Sequence, residues 1–188
     1  MFSEINQELV TYVKEQVSEV TWEKVMKTAA FIDHAVIFGL DPIPLKLAVL
    51  LADIFEGDPH HTNKAYLWVR EHLASYGYGE HTNLVARMVH EHSASFTGTY
   101  TNKYCQFMAA INYGPLDIPQ IIKNTYQHFY KTTILPIDGI LDEMVSYFKT
   151  NWFHRYKRSN PYYDSIFMPE IGVDALRSLT QADLKAHL

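Results

Sequence analysis

The side chains best able to do chemistry in this sequence are imidazoles and carboxylates placed near the ends of apolar stretches. There are ten histidines among 188 residues. Imidazole is a common metal ligand and equally a common partly buried polar group, so position decides its role. Asp53 closes the apolar run Leu47-Ala48-Val49-Leu50-Leu51-Ala52. A polar residue at the end of so apolar a helix meets whatever cleft opens there, or serves as a cap or ion-pair partner. His60 and His61 follow closely behind the loop signal Asp58-Pro59, and either sit in a solvated turn or approach the same cleft. His90 and His92 are two apart, so on a helix they point about 200° apart and cannot share one ion. Of the two, His92 is the one at a helix end that could face a cleft. His34, beside Asp33 in mid-helix, reads as structural.

The segment Trp152-Phe153-His154-Arg155-Tyr156-Lys157-Arg158 mixes aromatic rings with positive charge, a combination able to meet phosphate or a nucleic-acid backbone. Cations at a helix C-terminus explain it as well. The formal net charge of −5 favours that plainer account and excludes a general pull toward nucleic acid or anionic lipid. No glycine-rich phosphate loop, nucleophile elbow or H-E-x-x-H motif is present. Cys105 is the only cysteine, which rules out an intrachain disulfide and a four-cysteine zinc site.

The elements that must position these groups read as helices throughout. Ser3 is expected to cap a first helix with Ile5, Leu9, Val13 and Val17 on one face. A second spans about Trp22 to Phe38, with Val25, Ala29, Ile32 and Val36 inward and Gly39 as its stop. Asp41-Pro42 opens a third, to Phe55, apolar nearly all round and therefore central. Thr62 is expected to cap a fourth that ends at Gly77-Tyr78-Gly79, and a fifth runs from about Glu80 to His92. Asn102 to Tyr113 makes a sixth. Asp117 and Pro119 open another, to about Thr133, and Asp138 caps a last long one to about Tyr156. From Ser159 the tail reads as irregular, with Thr180 capping a short terminal helix. No segment alternates with period two for long.

Length fits one domain with a sizeable core. Apolar residues make up 47% and charged residues 20%, ordinary values for a globular protein. The start, MFSEINQELV, carries acids and no basic run before an apolar core, so no signal peptide is expected. The longest apolar stretch, around Pro44 to Phe55, is broken by Lys46 and Asp53 and is too short to span a bilayer. A soluble, cytoplasmic chain is the default expectation. Thirteen tyrosines leave self-association open without fixing an interface.

In order and spacing, several segments resemble the HD superfamily of metal-dependent phosphohydrolases, named for adjacent His and Asp at the end of a buried helix. The stretch Leu47 to Ile54 resembles its A-A-L-L-H-D-I segment, preceded by the turn Gly39-Leu40-Asp41-Pro42. Val89-His90-Glu91-His92-Ser93-Ala94-Ser95 is similar to the A-H-S-F-S segment of small bacterial HD proteins classed as nucleotide hydrolases. His128-Phe129-Tyr130-Lys131 and Ile134-Leu135-Pro136 resemble the helix end that follows. The likeness spans roughly Val20 to Tyr156. It implies an all-α, HD-domain-like orthogonal bundle of about seven to nine helices. Residues 1–158 would form that domain and 159–188 a tail packing on it.

The resemblance further implies a divalent ion (Mn, Fe, Ni or Mg) held by an early His, the His-Asp pair and a later Asp. Most of those ligands are replaced. Asp53 matches the Asp of the pair, but Ala52 stands where the family has His. The early His falls near Thr21 to Lys24, where Glu23 is the nearest oxygen ligand. The later Asp falls on Ala109 or Asn112. Two expectations follow. In the first, a degenerate HD module has lost the usual metal-dependent activity and binds a small phosphorylated or nucleotide ligand, or acts as an interaction domain. No cofactor is then expected. In the second, a phosphohydrolase or nucleotide pyrophosphohydrolase keeps a metal site rebuilt from Asp53, Glu23, His60, His61 or His92. The sequence favours the first, because drift from several ligands is simpler than coordinated replacement. Neither nucleic acid nor a membrane is an expected partner.

Overall fold

A computed structural model describes residues 1–93, 96, 98–115, 117–150, 160–167 and 169–188, without the side chains of 169–173. Every regular element among them is helical, as the sequence predicts. They divide into two compact units, Met1–Gly114 and Pro115–Leu188. The expected boundary at 158 falls within 151–159, outside the described residues. So does the Trp152 to Arg158 segment.

The first unit is built on a helix with no polar face. Asp41 accepts the Ile43 N–H through its side chain and Pro42 takes the first helical position, so the helix α3 (Pro42–Leu51) starts where the sequence predicts. Leu45, Leu47, Ala48, Leu50 and Leu51 are completely buried. Around α3 lie α1 (Gln7–Gln16), α2 (Glu19–Ala29), α5 (Thr82–Glu91), α6 (Lys103–Tyr113) and a 3₁₀ segment, Ala30–Phe38. The helix α4 (His61–His72) packs on α5 and continues into short 3₁₀ turns that end at Gly77, in the left-handed region. Each fully buried leucine of α3 contributes about 2 kcal/mol of apolar burial.

Four local expectations are corrected. The first helix is capped by Asn6, whose side chain accepts from the Glu8 and Leu9 N–H groups, and Ser3 lies in the preceding turn. The helix expected over Trp22 to Phe38 starts at Glu19, capped by Ser18, and tightens to 3₁₀ from Ala30. Three residues per turn shift the inward face. Ala29, Ile32 and Ala35 are therefore buried in steps of three, while Val36, expected inward, is 68% exposed. The third helix ends at Leu51 rather than Phe55, and residues 52–60 form turns. His60, rather than Thr62, precedes α4, with no side-chain cap.

In the second unit, α7 (Ile118–Thr132) is capped by Asp117 and pairs with α8 (Ile137–Thr150), in which Asp138 lies in the first turn rather than at the cap. The tail is helical where an irregular path was expected: α9 (Pro161–Phe167), α10 (Pro169–Ser178) and α11 (Gln181–His187). Thr180 and Asp183 form a reciprocal capping box at α11, as the position of Thr180 predicts. Ile122, Ile140, Leu141, Met144, Phe148, Leu176 and Leu184 make this unit's core, so the tail packs on α7 and α8. The described residues thus hold eleven α-helices against the seven to nine expected, the excess lying in this tail. No helix among them is long and apolar enough to cross a membrane.

Replacing Asn6 by Ala should cost about 1 kcal/mol in urea denaturation, whereas Ser3→Ala should leave the midpoint within error.

Candidate metal centre

Asp53 occupies the second position beyond α3, in the turn through which the chain leaves the core. The central placement of α3 carries it inside, and it is 6% exposed. Ionising a carboxylate there requires compensating charge or hydrogen bonds. The Lys24 ammonium, from α2, lies 2.8 Å from Asp53 Oδ2. His92, the residue that closes α5, places Nε2 3.7 Å from Oδ1 and is 2% exposed. His61, the first residue of α4, completes the group, its ring centroid 6.3 Å from that of His92. One donor atom each from Asp53, His61 and His92 lies within 4.8 Å of the other two.

The two imidazoles are oriented by the backbone. His92 Nδ1 lies 2.6 Å from the Val89 carbonyl and His61 Nδ1 lies 3.1 Å from the Asp58 carbonyl. A carbonyl only accepts, so each Nδ1 carries the proton and donates, leaving Nε2 as the ring nitrogen for a ligand or a second proton. Metal-binding histidines are commonly held in this way. An Nε2 lone pair facing a carboxylate oxygen needs a positive charge between them, either a proton or a cation. Two imidazoles and a carboxylate suit a first-row divalent transition metal. Bonds of about 2.1 Å hold neighbouring donors roughly 3 to 3.4 Å apart, so the cluster must contract slightly around an ion.

Electrostatics favour the charged carboxylate. Burial pushes the Asp53 carboxyl up, but the hydrogen bond from His92 and the charge and hydrogen bond of Lys24 outweigh it and hold Asp53 well below the usual range. The end of α5 is fixed by Glu91, a buried carboxylate that accepts 2.8 Å from the Thr101 N–H and also from the Thr101 hydroxyl. Burial first, then Glu91, pushes the Cys105 thiol up to about 12, so that sulfur stays protonated. A hydroxyl network lies near the start of α2, where the Ser18 hydroxyl donates to Thr21 and the Thr21 hydroxyl donates to Glu56.

Of the five residues proposed from sequence, Asp53, His61 and His92 converge. Glu23 and His60 are exposed and stand outside the cluster. The His60 N–H donates to the Asp58 side chain in the loop. Ala52 and Ala109 are buried without a ligating atom, and Asn112 is half-buried on α6. His90 is exposed and packs on Tyr66 and Phe96, on a different side from His92 as helical spacing requires. His34 stacks on Phe31, in keeping with a structural role. Lys24 carries no signal of its role in the sequence, because the resemblance points to histidine or oxygen ligands in that window rather than to an ammonium group. For Glu91 the one available signal is its position between His90 and His92.

No protein-family model matches the chain, and no curated protein or solved structure matches it.

Because its folded pKa is depressed, Asp53 contributes stability that is present above the ordinary aspartate range and lost as pH falls through the folded value. Urea midpoints measured from pH 7 to pH 2 should therefore drop below about pH 4 in the native chain. Asp53→Asn should start lower at neutral pH and fall less steeply over that interval.

Proposed function

We propose that residues Met1–Gly114 contain the metal centre of an HD-type phosphohydrolase, rebuilt from Asp53, His61 and His92. The observation that carries this reading is the convergence of three donor groups, with both imidazoles held through Nδ1 by backbone carbonyls. A simple buried ion pair would need one cation for Asp53, and Lys24 already supplies it. Two further imidazoles gathered on the same carboxylate exceed that need. This raises the rebuilt centre above the degenerate module as the preferred account.

Asp53 Oδ1 and the Nε2 atoms of His61 and His92 would hold the ion. The chemistry such an ion would supply when bound is polarisation of a phosphoryl oxygen and a lowered pKa for water near phosphorus. The fit to a small phosphorylated or nucleotide substrate rests on the sequence resemblance.

One observation favours the second account, a small-ligand-binding or interaction module without metal chemistry. The 2.8 Å contact with Lys24 already neutralises Asp53 without an ion. The two accounts separate on purified full-length protein by elemental analysis and by titration with Ni²⁺ or Mn²⁺. The rebuilt centre predicts one equivalent bound, about 100-fold weaker affinity in His92→Ala, and phosphate or pyrophosphate release from nucleotides that depends on the ion. Absence of saturable binding, with no change on His92→Ala, would leave the module reading.

A further inference from the structure

The Lys24 ammonium and a bound ion would use the same carboxylate. Lys24 Nζ is 2.8 Å from Asp53 Oδ2, and the His92 nitrogen faces Oδ1 of the same group. A divalent ion on Oδ1 would stand only about 5 Å from an ammonium still seated on Oδ2, and like charges that close repel strongly at the edge of a protein interior. The two cations are not equally confined. The Lys24 side chain is 43% exposed, whereas those of Asp53 and His92 are 7% and 2% exposed. The lysine can therefore withdraw its head group into water while its stem stays on the protein, at little desolvation cost. The carboxylate and the imidazole cannot.

We propose that Lys24 is a resident counter-cation that competes with the metal for Asp53, so that loading the centre displaces the lysine into solvent. This rests on the metal centre proposed above. In the metal-free chain Lys24 keeps the buried carboxylate neutralised and ties the middle of α2 to the turn that follows α3. In the loaded chain the ion takes over that charge. The native site is then weaker for metal than its three ligands alone would make it, and Lys24 sets the concentration at which it fills.

The test is calorimetric titration of full-length protein with Ni²⁺, in the native chain, Lys24→Gln and Lys24→Arg, with thermal denaturation of each in chelator. Competition predicts that Lys24→Gln binds Ni²⁺ at least tenfold more tightly while its metal-free form melts lower. Lys24→Arg, which keeps the charge, should stay near the native affinity. It also predicts that the loss of metal-free stability largely disappears when Lys24→Gln is placed on Asp53→Asn, because the ion pair is then already broken. Equal or weaker Ni²⁺ affinity in Lys24→Gln overturns the competition and leaves the metal centre standing. Saturable binding in neither form overturns both. Should Lys24→Gln fail to fold without metal, Lys24→Met and recovery of its fold by Ni²⁺ replace the melting comparison, and lack of recovery counts against the proposal.

Discussion

A carboxylate at the end of a helix that has no polar face is the constraint around which the first unit is organised. The apolar residues of α3 commit that helix to the middle of its unit, and the turn at Asp53 inherits the burial. A lone buried charge would be prohibitive, so the fold must bring positive charge or hydrogen-bond donors to that point. Lys24 on α2 and His92 at the end of α5 do so. Two other parts of the chain, α2 and the end of α5, are thereby tied to one oxygen pair. Breaking a fully buried pair typically costs about 3 to 5 kcal/mol, but the partial exposure of Lys24 brings its share closer to the surface value of about 1 kcal/mol.

Departures from ideal helices do much of the positioning. Ending α3 at Leu51 lets the chain turn through residues 52–60 and return as α4, which brings His61 back toward the carboxylate it has just left. The 3₁₀ geometry after Ala29 keeps Ile32 and Ala35 on the core while sending Val36 and Ile37 to the surface. Glu91, the last residue of α5, binds Thr101 through its carboxylate, and His92 is the next residue.

Much of this was legible residue by residue, and what was missed has a common source. Caps and stops act over two or three residues, so Gly39, Asp41, Asp117 and Thr180 could be read from the chain alone. The burial of α3 followed from its composition, and Asp53 followed from α3. The switch from α to 3₁₀ geometry after Ala29 left no mark in a pattern that reads equally well with either period until Val36. Lys24 was invisible as a partner because an ion pair between α2 and the end of α3 depends on how two helices cross. The separation of His61 from His60 likewise depended on the loop, in which Asp58 takes the His60 N–H and its carbonyl takes the His61 ring.

The same physics bears on how a metal centre can change without its fold being lost. If an ion supplies the charge that a buried carboxylate needs, removing the ion or a ligand endangers folding as well as chemistry. A lysine able to reach that carboxylate separates the two requirements, since the unit then stays folded with or without metal. The backbone carbonyls of Val89 and Asp58 hold the imidazoles in place independently of both cations. Ligand geometry can therefore persist while the occupant of the carboxylate changes.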